Sequence, residues 1–307
     1  MVIKAGLAYH LNKFVDLIIQ KNPLQKKAIK LFLQSQDEEF WIRSDEYCSN
    51  MFVLLEREDI TLEYVADSYL KMCKDMLKEQ VKFKKTGKYS CSTIEEANRK
   101  VYYSENEMKP YMYGLGLSQF LWPNHYAMYS YFINIIRKIN NIEFYLEIGP
   151  GHGLFLVEAL KHFENASFSA VDISPISIDI TKKVIDQFVP CVKCDFLHKD
   201  VREFSGNQYD MIVMCEVLEH LEDPNEILQK IRELLSPGGT AFITTCANAP
   251  AIDHVYLYRS VEHIRSEIRN SGFGIISEIV LPVGNIHEDE WEQQKVEINY
   301  AALLEIR

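Results

Sequence analysis

A glycine-rich loop between an apolar strand and a helix constrains this chain of 307 residues more than any other feature. The run Phe144–Ile148 is rich in β-forming residues, and the helical pattern Leu154–Phe163 begins directly after the glycines. The pattern E-x-G-x-G-x-G crosses this junction on Glu147, Gly149, Gly151 and Gly153. Glycines let the backbone turn sharply and approach a ligand, and a helix N-terminus attracts negative charge. The loop therefore predicts a nucleotide or nucleoside site.

A carboxylate follows at the end of the next apolar run. Phe168–Ile173 reads as a second strand and carries Asp172, which can accept hydrogen bonds from both hydroxyls of a ribose. The dinucleotide fingerprint G-x-G-x-x-G is not met, because position 154 is leucine. The loop and Asp172 together favour a nucleoside ligand that is not a dinucleotide.

Strand-like and helical runs alternate through the rest of the chain. The strand-like runs are Phe144–Ile148, Phe168–Ile173, Cys191–Phe196, Met211–Val217 and Ala241–Thr245. The helical runs are Leu154–Phe163, Ile176–Val189, Pro224–Leu235 and Val261–Asn270. Such alternation predicts a mainly parallel sheet with helices on both faces. Two further strands, Gly274–Leu281 and Ile298–Ile306, suggest a hairpin-like end whose last strand runs antiparallel to the others.

Five segments, in order, resemble the motifs of class I S-adenosylmethionine-dependent methyltransferases: YLEIGPGHGLF, AVDIS, CDF, YDMIVMCEVLEHLEDP and LLSPGGTAFITT. The resemblance implies an α/β, Rossmann-like class I core with a mixed seven-stranded sheet over residues 136–307. It also implies S-adenosyl-L-methionine as cofactor and S-adenosyl-L-homocysteine as product. We expect an α-helical N-terminal substrate or lid domain at residues 1–135 to precede this core.

The resemblance assigns expected roles to single residues. Gly149, Gly151 and Gly153 would wrap the methionine end of the cofactor, in a loop organised by Glu147. Asp172 would hold the ribose, and Ile173 would pack on the adenine. The remaining cofactor residues would be Asp195 and Phe196 at the adenine amino group, and Cys215 and Glu216 at the methionyl part.

The residues before this core form helical patterns. Apolar residues recur at three- and four-residue steps from Ala5 to about Gln34, with a break at Asn22–Pro23, and again from Leu62 to Phe83. A dense aromatic segment then runs from Val101 to Phe132. It suits either a helix interface between the two units or a lid over a ligand, and both can hold on different faces. As substrate contacts it offers Tyr111, Tyr113, Gln119, Trp122 and His125.

Four histidines are candidates for the base that takes a proton from the methyl acceptor: His125, His152, His220 and His254. His152 lies in the glycine loop, where a local role in that loop is favoured. His220 follows the fourth strand-like run and His254 follows the fifth, so both lie at the carboxyl edge of the predicted sheet. The alternative is that His220 only caps the next helix. By resemblance to methyltransferases that hold a divalent metal, Glu216, Glu219, His220 and His254 are a possible metal set. A divalent metal is possible here but not expected.

Composition limits the partners. The net charge is −11, with the acidic excess after Pro110, so a nucleic-acid substrate is not expected. The Cys191–Cys194 pair lacks a second pair to complete a zinc site, and the seven scattered cysteines suit a reducing cytoplasm. The N-terminal run contains Asp16, so neither a signal peptide nor a membrane anchor is expected. Nothing in the sequence indicates an oligomeric state.

These observations predict a cytoplasmic methyltransferase that acts on oxygen or nitrogen of a small-molecule, metabolite-like or carrier-bound acceptor. The helical N-terminal domain would close the substrate pocket. Alternatives are a metal-assisted O-methyltransferase that uses Glu216, Glu219, His220 and His254, and a non-catalytic module that only binds S-adenosylmethionine.

Overall fold

The structure is a computed structural model that describes residues 8–206 and 208–307. Its helices are α1 (Tyr9–Lys21), α2 (Gln25–Gln34), α3 (Glu38–Arg57), α4 (Leu62–Thr86), α5 (Ile94–Ala97), α6 (Glu105–Ser118), α7 (Pro123–Ile136), α8 (Leu154–His162), α9 (Pro175–Phe188), α10 (Pro224–Leu234), α11 (Val261–Asn270) and α12 (Trp291–Gln294). Its strands are β1 (Phe144–Ile148), β2 (Ser167–Asp172), β3 (Cys194–His198), β4 (Tyr209–Cys215), β5 (Leu235–Ala247), β6 (Phe273–Pro282) and β7 (Ile298–Ile306).

The helical patterns before the sheet are confirmed where the structure describes them. Helix α1 buries Leu11, Phe14, Val15 and Ile18 along one face, and the chain breaks before α2 as expected. The predicted start at Ala5 lies outside the described residues. Sequence reasoning did not single out α3, which begins after Asp37, whose carboxylate accepts the N–H of Phe40 at 2.9 Å. Within the described ranges, no helix has the length and apolar character needed to cross a membrane.

The seven strands form one mixed sheet in the order β3-β2-β1-β4-β5-β7-β6. Strand β1 pairs in parallel with both β2 and β4, while β7 runs antiparallel to β5 and β6. The mixed sheet and its antiparallel last strand are therefore confirmed. The chain order reverses at β1, because β2 and β3 lie on one side of it and β4 on the other. Open α/β sheets bind ligands at such a point, beyond the carboxyl ends of the strands.

Strand β3 differs from its predicted bounds. The prediction was Cys191–Phe196, but the strand spans Cys194–His198. Cys191 has a φ of 72°, a left-handed conformation that a strand cannot contain. Both Cys191 and Cys194 are free thiols. The shift moves the carboxyl end of β3 past Phe196 to His198.

The helical region and the sheet share one apolar core. Phe132 of α7 lies 5.1 Å from Phe155 of α8 and 5.1 Å from Phe242 of β5, measured between ring centroids. Aromatic pairs at this separation add to the stabilisation from burial. The opposite face of the sheet is covered by α10 and α11, which bury Ile227, Ile231 and Ile264. This packing holds α6 and α7 over the carboxyl ends of the strands.

Candidate active site

One cavity opens at the point where the chain order of the sheet reverses. It is bordered by the ends of β1, β2 and β4 and by α4, α6 and α7 of the helical region. Of the predicted site residues, those that line it are Glu147, Gly149, Gly151, Asp172, Ile173, Cys215, Glu216, Tyr111, Gln119, Trp122, His125, His220 and His254. The sequence thus brings most of the predicted cofactor and substrate residues to the same space.

The glycine loop is fixed on both sides. The Gly149 N–H donates to Val171 O at 2.8 Å, and Thr181 of α9 donates its hydroxyl to Gly151 O at 2.6 Å. Gly149 has a φ of 63°, and a Cβ there would lie 2.8 Å from a methyl group of Val217, so only glycine fits. Gly153 does not line the cavity and instead precedes α8, packed against α9.

The carboxylate of Asp172 is aimed by two hydrogen bonds. It accepts from the Ser174 N–H at 2.8 Å and from the Ser177 hydroxyl at 2.7 Å. Burial raises its pKa, while these bonds lower it. Each carboxylate oxygen can accept a second hydrogen bond, so the side chain can still bind a pair of hydroxyls.

Asp195 and Phe196 do not reach this cavity, contrary to the prediction. They lie within β3, where Asp195 pairs with Ser169 and Phe196 with Ala170, and they border a different surface recess. The cavity is instead lined by Lys199–Arg202, the four residues that directly follow the end of β3. The missed signal was the second aspartate, Asp200, closer to the start of β4. Because β3 ends at His198, Asp200 rather than Asp195 lines the cavity.

Glu216 is held rigidly at the end of β4. Its backbone has a φ of 52°, and its N–H donates to the Thr244 carbonyl at 3.1 Å. The Thr244 hydroxyl donates to the Glu216 carboxylate at 2.6 Å. Left-handed backbone at a non-glycine residue costs free energy and is concentrated at functional sites. Burial raises the pKa of Glu216, so this carboxyl group resists ionisation.

Some residues of the aromatic segment line the cavity, and others pack in the interface between helices. Trp122 and His125 face the cavity with their rings 4.8 Å apart, and the Trp122 N–H donates to the Tyr69 hydroxyl at 2.9 Å. Tyr113, predicted as a substrate contact, instead packs in the helical core with its ring 6.2 Å from that of Tyr64. It lies on the face of α6 that is turned away from the cavity, because α6 buries one face and opens the other.

His220 and His254 come together, with ring centroids 4.8 Å apart. The His254 Nδ1 lies 2.6 Å from Ala249 O, and the His220 Nδ1 lies 3.2 Å from Asp253 O. Carbonyl oxygens only accept hydrogen bonds, so in each neutral ring Nδ1 carries the proton and Nε2 holds a lone pair. Burial lowers the pKa of His254 to about 4. Both rings can accept a hydrogen bond or a proton at Nε2.

The possible metal residues fall into two groups that share His254. Ligand atoms of Glu219, Cys246 and His254 lie within 4.8 Å of one another, and so do those of His220, Asp253 and His254. Glu216 belongs to neither group, which differs from the predicted set of four. Burial raises the pKa of Glu219, and repulsion from the neighbouring Glu216 raises it further.

Glu147 gives a pH-dependent prediction. It is 2% exposed and accepts from the Tyr145 hydroxyl at 2.7 Å, and burial raises its pKa from 4.5 to about 8. The stability that this raised pKa contributes is therefore complete below the pKa of Glu147 in the unfolded chain. It is lost as the pH rises through the folded pKa of about 8. We expect the stability of Glu147→Gln to rise relative to wild type over this window, by up to about 1.4 kcal/mol per pH unit.

Urea unfolding of both proteins at pH 5 and pH 8 measures this change. The exposed Glu164→Gln variant is the matched control, and its difference from wild type is expected to be the same at both pH values. Parallel pH dependence of Glu147→Gln and wild type would show that Glu147 is ionised in the folded protein.

Comparison with known proteins agrees with this geometry. Residues 146–241 match the model of the methyltransferase domain family. The fold with its glycine loop, Asp172 and seven-stranded sheet is that of the class I S-adenosylmethionine-dependent methyltransferases. By this match, residues 146–241 form a methyltransferase domain.

Individual relatives are more distant. The chain is 31% identical over 109 residues to a ubiquinone biosynthesis O-methyltransferase of Xanthomonas campestris pv. campestris strain B100, which covers 34% of this chain and 44% of the relative. The chain thus spans less than half the length of the curated relatives that it matches. The mitomycin 7-O-methyltransferase MmcR has a TM-score of 0.54 at 13% identity, over 80% of this chain and 70% of that one. An O-methyltransferase family protein of Burkholderia thailandensis has a TM-score of 0.50 at 13% identity, over 78% and 71%.

Proposed function

We propose that the protein transfers a methyl group from S-adenosylmethionine to oxygen or nitrogen of a small-molecule or metabolite-like acceptor. The observation that carries this proposal is the single cavity joining the glycine loop and Asp172 to the aromatic residues of α6 and α7. In this proposal residues 1–135 form the substrate domain and residues 136–307 the cofactor domain. A cavity lined by both regions suits a small acceptor enclosed beside the cofactor.

The residues present fit the cofactor. Gly149 and Gly151 line the cavity, and a Cβ at Gly151 would have only Gly149 O as a neighbour, at 3.8 Å, so the loop leaves room for a ligand close to its backbone. We assign the methionine end to Gly149 and Gly151, the ribose to Asp172, and the adenine to Ile173 and Val201, the last in place of Phe196. Bound S-adenosylmethionine supplies an electrophilic methyl group on its sulphonium.

The chain's own residues position the acceptor and take its proton. Tyr111, Gln119, Trp122 and His125 line the acceptor side, where aromatic faces exclude water and attract a cationic sulphonium. His220 is the proposed base, because its Nε2 holds a lone pair beside the cavity. His254 is a poor base at neutral pH, because burial lowers its pKa to about 4.

The test uses methyl-labelled S-adenosylmethionine, the purified protein and a small-molecule extract of the cells that make it. We expect label to enter a compound of low molecular mass. Transfer only to added nucleic acid or protein would contradict the proposed acceptor class. Binding of S-adenosylhomocysteine without any transfer would instead identify a non-catalytic binding module.

A second candidate, a metal-assisted O-methyltransferase, is favoured by one observation. Oε1 of Glu219 and Oδ1 of Asp253 are buried and have no hydrogen-bond partner among the residues that the structure describes. Glu219 and Asp253 each belong to one of the two groups around His254. Buried carboxylates are normally paired or bound to a cation, and mixed oxygen and nitrogen donors suit Mg²⁺, Mn²⁺ or Zn²⁺. The curated relatives named above are O-methyltransferases.

Metal dependence has a direct test. If a divalent ion binds here, isothermal titration with Mn²⁺ or Zn²⁺ gives a binding signal that Glu219→Gln and His254→Ala each weaken at least about tenfold. The matched control is His162→Ala, an exposed histidine of α8. Equal titrations of wild type and both variants would reject the metal site and leave the base mechanism.

A further inference from the structure

His152 in the glycine loop is a neutral ring whose proton position is fixed. Its Nδ1 lies 3.2 Å from the backbone N–H of Leu154. A backbone N–H only donates, so Nδ1 carries no proton and the neutral ring must carry it on Nε2. Burial lowers the pKa of His152 to about 3, with a further contribution from nearby His125. The ring is therefore an uncharged donor at neutral pH.

His152 lines the cavity, and no other described residue forms a hydrogen bond with its Nε2. Helix α6 packs beside this residue, because a Cβ at Gly116 would lie 3.6 Å from the His152 Cβ. The Phe155 ring lies 6.0 Å away on another side. This N–H is thus positioned for a ligand atom that accepts a hydrogen bond.

The neighbouring His125 has the opposite polarity. The Ser118 hydroxyl lies 2.6 Å from Leu115 O, which can only accept, so the serine donates there. Ser118 must then accept from the His125 Nδ1 at 2.8 Å. That leaves a lone pair on the His125 Nε2. Of the two rings, only His152 can donate to an anionic group.

We propose that the Nε2–H of His152 donates a hydrogen bond to the α-carboxylate of the methionine end of S-adenosylmethionine. The inference rests on the proposed function, since the carboxylate is the anionic group of that ligand. The N-terminus of α8, which begins two residues later, attracts negative charge at the same place. An uncharged donor binds the carboxylate without placing a second positive charge near the sulphonium.

Two ligands separate this contact from the rest of the site. S-adenosylhomocysteine has the amino-acid end, and 5′-methylthioadenosine lacks it. The variant His152→Asn keeps an acceptor for the Leu154 N–H but loses the Nε2 donor, whereas His152→Gln keeps an N–H near that position. We expect His152→Asn to weaken S-adenosylhomocysteine about 10- to 100-fold, with a smaller loss for His152→Gln and no loss for 5′-methylthioadenosine.

Isothermal titration of the 307-residue chain measures these affinities, with exposed His162→Asn as the matched control. Nitrogen-15 NMR of the imidazole rings is the second readout, and we expect His152 to be protonated on Nε2 and His125 on Nδ1. A proton on Nδ1 of His152, or equal losses for both ligands, would overturn the inference and leave the proposed function standing. Failure of the wild type to bind either ligand would overturn the proposed function itself.

Discussion

Asp172→Ala is expected to weaken the binding of S-adenosylhomocysteine at least about 100-fold, because two charge-assisted hydrogen bonds to the ribose are lost together. The carboxylate is already oriented by Ser174 and Ser177, so it binds without paying further entropy of ordering. Asp172→Asn keeps the shape but loses the charge, and we expect an intermediate loss. Isothermal titration measures all three proteins.

The control for this experiment is Asp186→Ala, because Asp186 is an exposed aspartate of the adjoining helix α9. Its affinity is expected to equal that of wild type. Urea unfolding of each variant shows whether the fold is intact, since Asp172 also accepts a hydrogen bond at the start of α9. Full affinity of a folded Asp172→Ala would show that this carboxylate does not bind the ligand.

The glycine loop and Asp172 were predictable because each is a local signal. A strand, a glycine turn and a helix stand next to one another in the chain, so their spacing alone fixes the ends of β1 and the start of α8. The mainly parallel sheet was predictable from the alternation of strands and helices, because a helix between two strands lets them run in parallel. These parts of the fold depend on short sequence separations.

The end of β3 was not predictable in the same way. Cys191–Phe196 is a β-forming run, but the left-handed backbone at Cys191 delays the strand, and no residue of the run signals that turn. The end of β3 decides which residues lie beyond the edge of the sheet. Because β3 ends at His198, two positions after Phe196, the cavity is lined by the residues that begin with Lys199. The pairing of β3 with β2 sets this register, and no local pattern in the sequence shows which residues will pair.

The same limit applies to two long-range hydrogen bonds made by the cavity residues Tyr102 and Glu297. Tyr102, Asp253 and Glu297 were not singled out by sequence, yet the Tyr102 hydroxyl donates to Asp253 at 2.9 Å and Glu297 accepts from Gln80 at 2.8 Å. These pairs are 151 and 217 residues apart in the chain. Each joins the helical region to the sheet region. Contacts of such separation arise only when both regions fold together, which no local pattern records.

His220→Ala is expected to lower kcat at least about 100-fold, since loss of a general base typically costs two to four orders of magnitude. The affinity for S-adenosylhomocysteine should stay near that of wild type, because the ring acts on the acceptor. His254→Ala is expected to lose less activity, because burial lowers the pKa of His254 to about 4 and makes it a poor base at neutral pH. The labelled acceptor from the extract experiment serves as substrate for these measurements.

The bond between His220 and the Asp253 carbonyl decides how this result is interpreted. That bond keeps the proton on Nδ1 and leaves Nε2 as the atom that can accept a proton. His220→Gln fills the space but has no imidazole nitrogen to accept the proton. We expect His220→Gln to be as slow as His220→Ala, whereas a residue that only caps the following turn would be rescued by glutamine. Unchanged kcat in both variants would assign transfer to positioning alone, with the exposed His162→Ala as the reference for a neutral substitution.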